Sequence, residues 1–148
     1  MYNYTLFMDR KQLLLQDVIA AVEKFHNAFG IENAYEPTLV DTSDSVLRYK
    51  LMREENEEYL EACENDDLVE IADALGDMLY ILSGTILKHG LQNKIEPVFE
   101  EIQRSNMSKL DKNGEPIIND GIIDPTRPAG KVLKGENYSP PELKKILQ

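Results

Sequence analysis

Two long stretches of helical periodicity, separated by only two residues that break it, constrain this chain more than any other feature. Thr42 or Ser43 is the expected N-cap of a helix that runs to about Glu64. Asn65 and Asp66 interrupt the pattern. A second helix then runs from about Asp67 to His89, where Gly90 supplies a stop. With so short a connection, the expected arrangement is an antiparallel helical hairpin.

The first of these helices contains "LMREENEEYLEA", with Glu54, Glu55, Glu57, Glu58 and Glu61 close together. Like charges one turn apart on a helix repel by about a few tenths of a kcal/mol per pair. At 3.6 residues per turn, Glu54, Glu55 and Glu58 continue the stripe of Leu47, Leu51 and Ala62, whereas Glu57 turns toward solvent. The second helix, "DDLVEIADALGDMLYILSG", has an expected core stripe of Leu68, Ile71, Ala72, Leu75, Leu79, Leu82 and Ile86. Glu70, Asp73 and Asp77 occupy another face, which carries Tyr80, Ile81 and Gly84 further on. A helix apolar nearly all round is enclosed on most sides, so its acidic face is expected to meet another helix. At 1.5 Å rise per residue, both acidic groups lie roughly 12–15 Å from the turn and are level with each other. Carboxylates gathered away from bulk water cost several kcal/mol each unless compensated; they raise their pKa values or bind a cation. Oxygen-only ligands suit Mg²⁺, Mn²⁺ or Ca²⁺. The competing reading is a solvated acidic surface.

The remaining sequence extends this all-α frame. A first helix is expected from Asp9 to Phe29, with Leu14, Val18, Ala21, Val22 and Phe25 at helical spacing. A fourth is expected from Asn93 to Leu110, with Pro97 in its first turn. We therefore expect a helical domain over 1–110 and a tail over 111–148 packing on it. The tail is rich in Gly, Pro, Asn and Asp; "NG" and "DG" flank "EPIIN" as in a small hairpin, and "PPELKKILQ" offers a last helical turn. The fold class is an antiparallel bundle of four to five helices, completed by oligomerisation, because the third helix needs more apolar cover than one hairpin supplies.

Composition narrows the partners. The 148 residues suit one core, and 42% hydrophobic content excludes a disordered chain. A formal net charge of −11 argues against a nucleic-acid polymer and for a protein that collects cations. Cys63 is the only cysteine, which excludes an internal disulfide and a multi-cysteine zinc site. The start "MYNYTLFMDRK" lacks the pattern of a signal peptide, and no apolar run is long enough to span a membrane; the expected compartment is the cytoplasm.

"EENEE" has the form EExxE at Glu54, Glu55 and Glu58, and "EIADALGDMLYIL" follows about a dozen residues later. Together they resemble the all-α nucleoside triphosphate pyrophosphohydrolases, which include the MazG-like proteins, the dimeric dUTPases and phosphoribosyl-ATP pyrophosphohydrolase. The signature of that superfamily is EExxE followed by ExxD. Two registers are open for its second half. Glu70 and Asp73 match ExxD literally, whereas "LGDMLY" resembles the surroundings of the family aspartate and makes Asp77 the match, with Ala74 at the glutamate position. We favour Asp73 and Asp77 and retain Glu70. "LYILSGTILKHG", "SNMSK" and "GKVLKGENYSPPEL" resemble a phage- and bacterium-associated MazG-like branch.

The resemblance implies hydrolysis of a nucleoside triphosphate to the monophosphate and pyrophosphate, with Mg²⁺, or Mn²⁺, held by Glu55, Glu58, Glu70, Asp73 and Asp77. Glu54 or Glu55 would handle the attacking water. Asn106 and Lys109 match the family's phosphate-contacting pattern, and Arg104, Lys131 and Lys134 are further phosphate candidates. His26 and Phe29 in "EKFHNAFG" are candidates for contact with the base. It also implies a homodimer or dimer of dimers. A carboxylate-bridged di-iron bundle would need two Glu-x-x-His pairs; Glu23 and His26 make one, but Ile86 precedes His89. The remaining alternative is a catalytically weak nucleotide- and metal-binding module of the same fold.

Overall fold

The computed structural model describes residues 12–148. Five helices are present among them: α1 (Leu15–Ala28), α2 (Thr42–Glu64), α3 (Leu68–Lys88), α4 (Ile95–Met107) and α5 (Lys144–Leu147). No strand occurs among the described residues; one isolated antiparallel bridge joins Ile118 to Val132. None of these helices is long and apolar enough to cross a membrane. The chain forms two compact units, Met1–Gln92 and Asn93–Gln148, so α4 is grouped with the irregular segment that follows it.

In the first unit, each helix starts at a side chain that satisfies free backbone N–H groups. Asp41, not Thr42 or Ser43, caps α2: its carboxylate accepts from Asp44 N at 2.8 Å and from Ser43 Oγ at 2.7 Å. A carboxylate is the better acceptor at the positive end of the helix, and it also engages the serine. Asp67 caps α3 through Val69 N and Glu70 N. The first helix is shorter than expected. Residues 9–11 lie outside the described residues, and the helix begins at Leu15 because Asp17 reaches back to Leu14 N at 3.0 Å.

The turn between α2 and α3 closes through Asp66, whose φ of 54° is left-handed. Beyond it the helices run antiparallel. Asp44 on α2 meets Lys88 on α3 at 2.6 Å, and Arg48 donates to Ile81 O at 2.7 Å and Thr85 Oγ1 at 3.0 Å. Rising numbers on one helix pair with falling numbers on the other, which fixes the register. α1 packs against the upper half of α3, also antiparallel. Gln16 Nε2 donates to Gln92 O, while Phe25 near the other end of α1 meets Tyr80 edge-on.

The face of α3 that is buried differs from the expected one. Ala74, Ile81, Ser83, Gly84, Ile86 and Leu87 are buried, whereas Leu68, Leu75, Leu79 and Leu82 are 76%, 50%, 44% and 48% exposed. Of the expected stripe only Ile86 is fully enclosed. On α2, Ala62 is buried and Leu51 half-buried, but Leu47 is exposed. The physical reason is size. Small residues allow the neighbouring backbones to approach, so α1 and α2 settle on the Ala74–Gly84 side and leave the bulky leucines outside. Leu87 and Val22 are the largest apolar side chains that are fully buried among the described residues, each worth about 1.5–3 kcal/mol on burial.

At Gly84 both α1 and α2 come close to the α3 backbone. A Cβ there would lie 2.7 Å from Arg48 Nη2 and 2.8 Å from His26 Nε2. Gly90 serves a similar end: its φ is +65°, and a side chain would strike the backbone of Glu36.

In the second unit, the expected "EPIIN" hairpin is not formed. The buried Asn119 takes over the local backbone pairing. Its Nδ2 donates to the carbonyls of Asp124, Arg127 and Pro128, and its Oδ1 accepts from Gly121 N and Asp124 N. The chain is thereby held so that Ile118 bridges Val132 rather than a nearby residue.

Replacing Gly84 by alanine is expected to cost about 1–3 kcal/mol, read from urea denaturation, because the His26 ring against it is buried and hydrogen-bonded to Asn33. Combining it with Arg48→Ala should cost less than the sum of the two single changes, because the pair shares one contact.

Candidate functional site

The antiparallel register that joins Asp44 to Lys88 and Arg48 to Ile81 continues along the hairpin. It sets Glu55 opposite Asp77 and Glu58 opposite Asp73. Glu55 is half-buried, and its Oε2 is buried with no hydrogen-bond partner. Its carboxyl is held above the usual glutamate range, first by burial and then by the charges of Glu58, Asp77, Glu54 and Asp73. Those four acids are exposed around it. Five carboxylates therefore form one patch across α2 and α3, with Glu55 innermost.

Glu70 is not among the groups that act on Glu55. It lies one turn nearer the end of the hairpin, where it lines a cavity of about 360 Å³ with Glu58, Glu61, Ala62, Asn65 and Asp67. Glu57 turns to solvent, as expected, and pairs with Arg53 at 3.4 Å. Ala74 is buried. Among the described residues, no three Asp, Glu, His or Cys side chains converge closely enough to hold an ion as they stand. The donor set nevertheless fits a hard divalent cation: it is all oxygen, and its innermost atom is a buried acceptor without a donor.

α1 is 14 residues long against 23 for α2 and 21 for α3, and it meets α3 at Tyr80 and Gly84, beyond the patch. Where α1 ends, aromatic rings gather. Phe25 lies 4.4 Å from Phe29 between ring centroids and 5.5 Å from Tyr80, and all three are exposed. Tyr80 follows Asp77 by three residues and Asp73 by seven, so it continues their helical face. His26 does not share this exposure. It is buried, with Nδ1 at 2.6 Å from Asn33 Oδ1, against Gly84 and beside Arg48.

Sequence analysis does not single out Arg48; it places Phe25 in the apolar stripe of α1 and Tyr80 on an enclosed face of α3, whereas both rings are exposed. The signal for Tyr80 was present in its heptad spacing from Asp73. Nothing in the sequence distinguishes Arg48 from a surface arginine.

The candidates of the second unit are engaged within that unit. The Arg104 guanidinium forks onto Glu101 at 2.9 and 2.8 Å and also donates to Pro140 O. Arg104 and the backbone N–H of Glu142 together hold the Glu101 carboxyl down at about 2. Lys109 Nζ donates to Asn106 Oδ1 at 2.7 Å. Lys134 lies over the Tyr138 ring at 4.1 Å. Lys131 is exposed, and its carbonyl accepts from Asn119 N.

Residues 22–106 match the family model for phosphoribosyl-ATP pyrophosphohydrolase. The chain belongs to the phosphoribosyl-ATP pyrophosphohydrolase family. The match to that family takes in all of α2 and α3, hence the whole carboxylate patch, and ends at Asn106. It leaves Lys109, Lys131 and Lys134 outside. The chain is also similar to an uncharacterized protein of Acanthamoeba polyphaga mimivirus, 29% identical over 97 residues. That alignment covers 63% of this chain but only 39% of the viral protein, so the chain spans well under half of that relative's length.

Because Glu55 titrates above the ordinary glutamate value, the folded state holds its proton more tightly than the unfolded state. Its contribution is favourable below about pH 4.5 and is lost as pH rises through the raised value. Glu55→Gln should therefore increase the urea midpoint at pH 7, and the gain over wild type should shrink toward pH 4.

Proposed function

We propose that this chain is a Mg²⁺-dependent nucleotide pyrophosphohydrolase that splits a nucleoside triphosphate into the monophosphate and pyrophosphate. The observation that carries the reading is the buried, unpartnered Glu55 oxygen within a patch of four further carboxylates, on the segment that matches the family. Glu55, Glu58, Asp73 and Asp77 would hold the cation, with Glu70 replacing Asp77 in the literal ExxD register. Mn²⁺ is compatible with the same donors. A divalent ion there supplies charge neutralisation for the phosphates.

The chain's own residues supply the rest. Glu54, exposed beside Glu55, accepts a proton from the attacking water as that oxygen bonds to the α-phosphorus. The α–β anhydride bond breaks, and pyrophosphate carries away the electron pair. The rings of Phe25, Phe29 and Tyr80 offer flat apolar faces to a nucleobase where α1 ends, one turn beyond Asp77. A free nucleotide suits the charge pattern better than a polymer. Residues 93–148 hold nine Lys or Arg and nine Asp or Glu, so the formal −11 resides in the first 92 residues, which carry the patch. We further propose a cytoplasmic homodimer or dimer of dimers, supported by the free Cys63 and by the uncovered leucines of α3.

A second reading, a nucleotide-binding module with weak turnover, is favoured by Ala74. It offers no oxygen at one of the two family registers and is buried.

Pyrophosphate release across a panel of ribo- and deoxynucleoside triphosphates and phosphoribosyl-ATP, with Mg²⁺, separates the readings. Turnover on at least one substrate is expected. Glu55→Gln, Glu58→Gln, Asp73→Asn and Asp77→Asn should each lower it by roughly 100-fold or more, with a smaller effect on nucleotide affinity. Glu57→Gln and Glu64→Gln should leave it within about 2-fold of wild type, as solvated positions do. Loss of activity in Glu70→Gln with activity retained in Asp77→Asn would assign the literal register. Nucleotide binding without release on any substrate would favour the second reading.

Mg²⁺ should also raise the melting temperature by mass action, and Glu58→Gln should blunt that rise. An unchanged melting curve across millimolar Mg²⁺ and Mn²⁺ would count against the patch as a cation site.

A further inference from the structure

Six side chains of α2 follow one another at intervals of four, three, four, three and four residues: Asp44, Arg48, Leu51, Glu55, Glu58 and Ala62. That spacing keeps them on one side of the helix. It is the side that meets α3. Asp44 pairs with Lys88, Arg48 bonds Ile81 and Thr85, and Ala62 is the one buried residue of α2. Only Leu51 and Ala62 among the six are apolar, so packing does little to hold the two helices together along this side. Between them Glu55 and Glu58 face Asp77 and Asp73, and like charges push the helices apart. The turn at Asn65 and Asp66 fastens one end of this stretch. Arg48, seven residues before Glu55, fastens the other.

Arg48 grips α3 at a turn whose backbone bonding is already shared. Ser83 Oγ donates to Leu79 O at 2.8 Å and Thr85 Oγ1 to Ile81 O at 2.8 Å, with Gly84 between them. Hydroxyls that bond back one turn bend a helix, and a glycine loosens it. Arg48 ties this turn to α2. Its Nη2 donates to Ile81 O at 2.7 Å, and its Nε donates at 3.0 Å to the Thr85 hydroxyl, which itself donates to the same carbonyl. The three groups form a closed ring of hydrogen bonds. A guanidinium presents its N–H groups as a rigid fork, so the ring sets the axial position of α2 as well as its distance. The Asp44–Lys88 pair lies farther from the patch and joins two side chains with no backbone, so it tolerates a sliding that the ring forbids.

We propose that Arg48 and Thr85 are positioning residues for the carboxylate patch: their ring with the Ile81 carbonyl holds the open end of the hairpin against the repulsion below it and keeps Glu55 and Glu58 level with Asp77 and Asp73. Neither residue touches substrate or cation. The consequence for cation affinity rests on the proposed function; the positioning itself does not, and the two are measured separately.

The first measurement uses no cation. Spin labels at Glu57→Cys and Gly76→Cys in a Cys63→Ser background, diluted with unlabelled chain, report the separation of α2 and α3. Arg48→Lys keeps the charge but loses the fork, and Thr85→Val keeps the branched shape but loses the hydroxyl. Both should shift the distance distribution to longer values and broaden it. Thr85→Ser, which keeps the hydroxyl, should restore the wild-type distribution. Val22→Ala trims a buried residue of α1 and leaves the ring intact; it should lower the urea midpoint without moving the labels. The second measurement is Mn²⁺ binding, read from the spin resonance of the free ion below the unfolding transition. Arg48→Lys and Thr85→Val should weaken it by roughly 10-fold or more, as removal of a group that orients metal ligands does. Thr85→Ser and Val22→Ala should stay within about 2-fold of wild type. Distances unchanged in Arg48→Lys and Thr85→Val, or lengthened equally by Val22→Ala, would overturn the positioning role. Lengthened distances in a chain that binds no Mn²⁺ would uphold it and overturn the cation reading instead.

Discussion

Everything in the first unit depends on how closely α2 and α3 approach, and that is set at Gly84. The missing side chain lets the Arg48 guanidinium lie against the α3 backbone, where it binds Ile81 O and Thr85 Oγ1. Arg48 is about half-buried, and burial lowers its pKa without bringing it near neutrality, so it holds the register as a permanent cation. From that fixed point, seven residues along α2 lead to Glu55 and an equal stretch back along α3 leads to Asp77. The meeting of the carboxylates is thus a consequence of the register rather than of any attraction between them.

The hairpin was legible because punctuation defines it. Asp67 and Gly90 bound α3, Asn65 and Asp66 break the chain, and the expected and observed limits of α2 and α3 nearly coincide. The level pairing of the two acidic groups followed from counting residues back from the turn. What the sequence concealed was the inward face of α3. A helix apolar nearly all round gives periodicity nothing to discriminate, and the stripe with the largest side chains attracted the assignment. Backbone approach instead favoured the stripe with the smallest. The same cause hid Arg48, whose role exists only because a glycine 36 positions later stands opposite it. Asn119 was unreadable for a related reason: "NG" and "DG" are local signals, whereas its amide gathers carbonyls up to nine residues away.

The carboxylate patch is a local conflict inside an otherwise consistent fold. Burial and then four neighbouring charges raise the proton affinity of Glu55, and packing elsewhere must offset that cost: Val22 and Leu87, the Asp44–Lys88 pair and the two aspartate caps. Conflicts of this kind concentrate where a fold does chemistry rather than where it is only held together. The contrast with Glu101 is instructive. There one arginine and one backbone N–H drive the carboxyl in the opposite direction, and the group simply fastens α4 to the segment after it.

The clasp at Asn119 has a consequence of another kind. It separates the identity of the residues between 120 and 130 from their path. The amide grips only main-chain atoms, while the side chains it positions, Ile122 and Ile123, project into solvent. Such a loop can exchange its outward side chains and keep its course. Chemical damage at the one amide would work the other way. Conversion to a carboxylate would turn the Nδ2 donor into an acceptor facing three carbonyl oxygens, and a segment with almost no regular secondary structure would lose the amide that gathers its backbone.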